Sequence, residues 1–273
     1  MFGNSDFANI SAISASHIDN LRKTKEYNQF WVNGTKSREV SIGKTIEPEP
    51  NGKPGSIRVD TVHQREVYYI NAVCEVVQWE VVVCVPMISE RYLLPALTRL
   101  LDQFPFAIFN FHSDRGSEFI NYKVARLLNK LLIEQTKSRS RHTNDNALVE
   151  SKNGSVIRKN MGYMHIHFEA AEMISDFLQD WFNVYLNYHR PSLFVTEIKQ
   201  DSKGRKRQIY EEACVPYEKL KQISEEQNTN FLKEGVSFAQ LDKIAYAESD
   251  NEFAKKMREQ EYKLFAKISK MKG

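Results

Sequence analysis

The sequence predicts a mixed α/β fold: three antiparallel strands, then parallel strands joined by crossover helices, with a helical extension at the C-terminal end. Three observations carry that expectation. Residues 56–85 hold three β-prone runs, "SIRVDTV", "VYYINAV" and "WEVVVCV", joined by the short polar connections "HQRE" and "CEVVQ". Beyond them, apolar residues recur twice at helical spacing, and a short β-prone run follows each helix. The chain has 273 residues, 41% hydrophobic and 11% aromatic, which supplies a real core.

Taken in order, residues 1–50 are polar and weakly periodic. "SASHIDNLRKTKEY" reads as a short helix capped at Ser14 or Ser16, with Ile18 and Leu21 on one face. "TIEPEPNGKPGS" reads as a Pro- and Gly-rich linker. After the three strands, "SERYLLPALTRLLDQ" predicts a helix with Leu93, Leu94, Leu97, Leu100 and Leu101 at helical spacing, Ser89 as its cap, and Pro95 blurring its start. "FAIFNFHSD" is a fourth strand, "INYKVARLLNKLL" a second helix facing inward through Val124, Leu127, Leu128 and Leu131, and "IEQT" a fifth strand. A third helix begins near Asn146. The order β-β-β-α-β-α-β-α is that of a ribonuclease H-like mixed sheet, although order alone does not separate it from other mixed α/β folds. An amphipathic helix over 169–187, a hairpin "TEIKQDSKGRKRQIY" and charged helices complete the chain. The expected division is 1–50, N-terminal region and linker; 51–195, core; 196–273, basic hairpin and helical extension.

Composition narrows the function. The net charge of +3 does not describe a polycation. Three cysteines without a CxxC pair exclude a disulfide framework and most zinc modules, and fit a reducing compartment. No apolar run reaches membrane-spanning length, and the N-terminus shows no signal peptide, so no membrane association and a cytoplasmic location are expected.

Three carboxylates stand out. Asp60 lies in the first strand, Asp114 ends the fourth in "FHSDRGSEF", and Glu150 lies in the first turns of the third helix. Alone, each has an ordinary reading: a strand-end acid, a turn aspartate, a solvated helix glutamate. Together they belong on neighbouring elements, because the first and fourth strands adjoin in the proposed sheet. Three close carboxylates repel unless neutralised, and hard divalent ions with oxygen ligands neutralise them. A pair of such ions about 3.5–4 Å apart suits phosphodiester chemistry. His112, two before Asp114, points to the same face and is a candidate to contact substrate or tune the site. "HIH" at 165–167 lacks a third ligand at suitable spacing.

The segments "RVDTVHQ", "HSDRGSEF" and "HTNDNALVESKNGSVIRK" together resemble the catalytic core of DDE-type integrases and insertion-sequence transposases, a likeness that extends through "NVYLNYHRPSLF" and covers about residues 55–195. The 35 residues between Asp114 and Glu150 match that family's spacing. The resemblance implies that Asp60, Asp114 and Glu150 are catalytic and hold two Mg²⁺ or Mn²⁺ ions. It also implies DNA nicking and strand transfer during transposition, by homo-oligomers on the DNA of transposon ends and target, with the protein on the nucleoid when bound. Arg115 stands where the family usually has Asn, and Cys74 where the group usually has an acid. Longer relatives begin with helix-turn-helix segments, so residues 1–50 read as a remnant of one. Two competing readings stay open: an inactive DNA-binding remnant, and a ribonuclease H-like nuclease without strand transfer.

Residues 137–159 hold six Lys or Arg against two acids. Lys137, Arg139, Arg141, His142, Asn146, Lys152, Asn153, Arg158 and Lys159 are the expected DNA contacts, positioning the phosphates that flank the scissile one. A second basic run, "KGRKR" at 203–207, falls at the hairpin tip.

Overall fold

The computed structural model describes residues 42–48, 51–140, 142–200, 204 and 206–271, with Ser16 and Asn20 ahead of them. The chain divides into two compact units, 1–40 and 41–273. In the first, Ser16 and Asn20 are helical; the rest of the expected N-terminal helix lies outside the described residues, as do Lys203 and Arg205 of the "KGRKR" tip. The second unit is described below.

Its strands are β1 (Lys44–Thr45), β2 (Ser56–Gln64), β3 (Val67–Cys74), β4 (Glu80–Val85), β5 (Asn110–Ser113) and β6 (Glu134–Lys137). They form one sheet in the order β1-β6-β5-β2-β3-β4. The β2-β3-β4 meander is antiparallel, whereas β5 lies parallel to β2, and β6 parallel to β5. Two residues turn β2 into β3, with Arg65 at φ 58°. Helix α1 (Glu90–Asp102) connects β4 to β5, and α2 (Tyr122–Lys130) connects β5 to β6. Asn121 caps α2 by accepting from the backbone N–H groups of Lys123 (3.1 Å) and Val124 (3.0 Å). Helix α3 (Ala147–Lys152) continues through a π-helical stretch, Asn153–Arg158. Helix α4 (Ala171–Phe177) runs on through π-helical turns to His189, and hairpin β7 (Ser192–Gln200)/β8 (Lys206–Cys214) follows as a separate two-stranded sheet. Helices α5 (Pro216–Glu226), α6 (Phe238–Ala245) and α7 (Asp250–Lys270) complete the chain.

Alternation along the central strands explains the layering. Val81, Val83 and Val85 face one apolar cluster with α1, α5 and α6, while Val82 and Cys84 face another with α4 and α7. Both faces of β4 are therefore buried, and the run reads as continuously apolar. The C-terminal helices enter the same two clusters through Tyr217, Leu220 and Leu241, and through Met257, Leu264 and Ile268.

Three details differ from expectation. β1, only two residues long, extends the sheet beyond β6 without any periodicity to announce it. β5 is shorter than "FAIFNFHSD": Phe106 instead bridges to Leu232, and ladder pairing begins at Asn110. Pro95 sits inside α1, whose buried Leu93, Leu97, Leu100 and Leu101 hold the helix despite the missing donor.

β4 is the last strand of the sheet, and its outer edge is sheathed by side chains. Asn187 accepts from Glu80 N–H (2.8 Å) and donates to the Glu80 carbonyl (2.7 Å). Asn183 does the same for Val82, both at 3.0 Å. Ser175 Oγ accepts from Cys84 N–H at 3.4 Å. Four residues along a helix advance about 6 Å, close to the roughly 6.8 Å of two strand residues, so Asn183 and Asn187 meet alternate residues of β4. All three side chains are buried, and each satisfies backbone groups that would otherwise face an apolar helix. Replacing Asn187 by Leu leaves one buried donor and one buried acceptor unmatched. Urea unfolding of Asn187→Leu should show a loss of about 2–3 kcal/mol, against less than about 0.5 kcal/mol for the exposed Gln222→Ala.

Candidate active site

The β2/β5 register pairs Ile57 with Phe111 and Val59 with Ser113. Asp60 and Asp114 come one step later on adjacent strands, so their side chains emerge together where β5 ends. Asp60 is half-buried; its Oδ1 accepts from Thr61 N–H (2.8 Å) and its Oδ2 from Asn153 Nδ2 (2.7 Å). Asp114 Oδ1 accepts from Gly116 N–H at 2.8 Å, the turn role expected of an aspartate at this position. The turn is crowded: a Cβ on Gly116 would press on the Glu118 carboxylate and sit 2.8 Å from Asp114 Oδ1, so those side chains would have to shift. Glu118 thereby joins the neighbourhood, a carboxylate that sequence reasoning passed over although it stands in the same "HSDRGSEF" run. Glu150 projects, exposed, from α3, which packs on β2 and β3.

Burial raises the pKa of Asp60, and the charges of Asp114 and Glu150 raise it further; the Thr61 N–H and the Asn153 amide oppose them. Asp114 and Glu150 are thus both within electrostatic reach of Asp60. As arranged, no three His, Cys, Asp or Glu side chains among the described residues stand close enough to enclose an ion. The donor chemistry nevertheless fits a hard divalent cation: carboxylate oxygens of one charge sign, with Asp60 half-buried and acted on by the charges of the other two.

The basic residues separate into two groups. Lys152 was expected on DNA but is buried, its Nζ 3.1 Å from Ser192 Oγ and 3.8 Å from Glu80 Oε2. A helix position next to Glu150 turns toward β4 here, and burial lowers the lysine's pKa. Asn146 and Asn153 are buried too: Asn146 donates to the Val59 carbonyl (3.4 Å), and Asn153 serves Asp60. Arg139 is committed to Asp145 (2.8 Å) and Glu47 (2.8 Å), and its hydrogen bonds hold Asp145 down to about 2. Lys137 Nζ donates to the Ile42 carbonyl at 2.9 Å. His142, Arg158 and Lys159 are exposed, and Arg158 lines a cleft of about 300 Å³ with His63, Arg65 and Tyr163. Arg141 lies outside the described residues. Arg115 donates from Nε to the Ser138 carbonyl at 3.1 Å.

His112 is fully buried. Its ring is buried between Thr136 Oγ1 (2.9 Å) and Ser138 Oγ (3.1 Å), where it ties β5 to β6. Beneath the site, buried Arg58 pairs with Glu75 at 2.5 Å. His165 and His167 both approach Glu66, at 3.1 and 3.7 Å.

Strand order 3-2-1-4-5 within β2–β6, with crossover helices α1 and α2, defines a ribonuclease H-like α/β fold. No protein-family model matches the chain. Over 116 residues, 42% of its length, the chain is 31% identical to the uncharacterized protein y4rM of Sinorhizobium fredii, and it spans 33% of that protein. Its backbone is similar to the catalytic core domain of BIV integrase, with a TM-score of 0.40 and 16% identity over 63% of this chain and 97% of that one.

The His112 environment yields a pH prediction. Burial and then the charge of Arg58 push its pKa down to about 4, below the 6.5 of a free imidazole. The unfolded chain then binds a proton that the folded chain refuses. The stability due to neutral His112 is complete above pH 6.5 and is lost as pH falls toward about 4. Denaturant midpoints measured across that window should fall, and His112→Gln should flatten the slope.

Proposed function

We propose that the chain is a metal-dependent polynucleotidyl transferase acting on DNA, of the integrase and transposase kind. Asp60, Asp114 and Glu150 are its metal-holding carboxylates. The observation that carries this reading is the placement of Asp60 next to Asp114 past the end of the β2/β5 ladder, half-buried and acted on by the charges of Asp114 and Glu150. A structural role would favour neutralising such an acid or moving it to solvent. The sequence resemblance supports the same reading, since the motif positions that imply a triad are the ones the β2/β5 pairing and α3 bring near one another.

When bound, a pair of Mg²⁺ or Mn²⁺ ions would activate an attacking oxygen and stabilise the leaving one at a phosphodiester. Asp60 and Asp114, fixed by backbone N–H bonds, supply oriented ligands. Glu150, more exposed, supplies the third from a helix packed on β2 and β3. Asn153 holds Asp60 Oδ2 in place. The exposed Arg158 and Lys159, with the exposed His142, would position flanking phosphates. On this reading the reactions are strand nicking at element ends and attack of a 3′-hydroxyl on target DNA.

Two experiments test it. With Mn²⁺ and supercoiled plasmid, the wild-type chain should nick, and Asp60→Asn, Asp114→Asn and Glu150→Gln should each fall to background while remaining folded by circular dichroism. Cutting retained in Asp60→Asn and Glu150→Gln would remove the triad; a strand-transfer assay with precut ends then separates a transposase from a simple nuclease. For the basic face, Arg158→Ala with Lys159→Ala should lower the slope of log affinity against log salt by about 2. Lys152→Ala should instead lower the melting temperature and leave that slope unchanged.

A further inference from the structure

We propose that Asn71, in the middle of β3, is a positioning residue of the carboxylate site: it selects which end of the Asn153 amide faces Asp60. The inference rests on the reading of Asp60 as a metal-holding carboxylate, and goes beyond it to a residue outside the sequence motifs.

Asn71 is fully buried and stands opposite Asp60 in the β2/β3 register. Its Nδ2 donates to Asn153 Oδ1 at 2.9 Å, and Asn153 Nδ2 donates to Asp60 Oδ2 at 2.7 Å. A carboxamide has one accepting end and one donating end. With the accepting end of Asn153 occupied by Asn71, its donating end is the one left for Asp60. Turned by half a rotation, Asn153 would set a carbonyl oxygen against a carboxylate oxygen in a half-buried site, an arrangement that repels and strands both lone pairs.

Asn71 has reasons of its own to point its NH₂ group as it does. The buried Glu80 carboxylate bears on the same amide and is itself held toward Lys152 Nζ at 3.8 Å. Two acceptors, Asn153 Oδ1 and Glu80, thus face the two N–H donors of Asn71 and hold its NH₂ end toward them. Its own Oδ1 has no donor at all. An amide that leaves a buried acceptor unmatched has been oriented by its surroundings. The chain Lys152–Glu80–Asn71–Asn153–Asp60 runs from the buried face of α3, through β4 and β3, and back to the site, so it fixes Asp60 from the protein interior rather than from solvent. Outer partners of metal ligands commonly act in this way.

The test uses Asn71→Leu, similar in size but without a donor, and Asn71→Asp, which can only accept and should turn the Asn153 amide over. In ¹⁵N-labelled protein without metal or DNA, the side-chain amide signals of Asn153 should move in both variants. Calorimetric titration of the protein alone with Mn²⁺ should show affinity falling about ten- to a hundredfold. In an Asn153→Ala background, Asn71→Leu should cause no further loss, because the two act in series. Unmoved Asn153 signals, or an undiminished Asn71→Leu effect in the Asn153→Ala background, would overturn the proposal. If wild-type and Asp60→Asn protein bind Mn²⁺ alike, the metal reading fails, and the Asn153 signals still decide the relay. Should Asn71→Leu not fold, Asn71→Ser is measured in its place, with the same outcomes.

Discussion

The parallel pairing of β2 with β5 is the constraint on which the site depends. Ile57 against Phe111 and Val59 against Ser113 are fully buried, and they fix a register in which Asp60 and Asp114 must follow together. A slip of one residue would exchange the faces of the strand, sending Asp60 into the core and Val59 to the surface. The apolar pairs therefore hold two like charges side by side against their repulsion. The meander on one side of β2 and the crossovers on the other add to that grip, since β2 is bonded along both edges. The acids are a local electrostatic conflict sustained by a well-buried sheet.

Local charge in the sequence overstates the charge available at the surface. Residues 137–159 appear strongly basic, yet Arg139 is held by Asp145 and Glu47, and Lys152 by Glu80. Asp145 is six residues from Arg139, but Glu47 comes from 92 residues away. Among the described residues of this segment, His142, Arg158 and Lys159 are exposed.

Much of this architecture is legible in the sequence. β2, β3 and β4 announce themselves because β-branched residues fill both faces of a central sheet, and α1 and α2 because their leucines repeat at helical spacing. Asp60, Asp114 and Glu150 are legible as a spaced set in recognisable surroundings. What escapes has a common physical cause. Asn183 and Asn187 look like the polar face of an amphipathic helix, but their partners are the backbone of a strand end-on to them, and a backbone leaves no residue-specific mark. Lys152 follows Glu150 by two positions and looks equally solvated; only the fold shows that Glu80 awaits it inside. Glu118 lies within the motif itself, and its approach to Asp114 depends on a turn geometry that Gly116 permits. β1 is too short to carry any pattern.

The carboxamide sheath on β4 has an outcome for how copies of the chain can meet. A terminal strand with bare peptide groups is a template onto which a second polypeptide can be laid, lengthening the sheet across molecules. Here Glu80 and Val82 have both their N–H and C=O groups already occupied, so that side is closed to such templating.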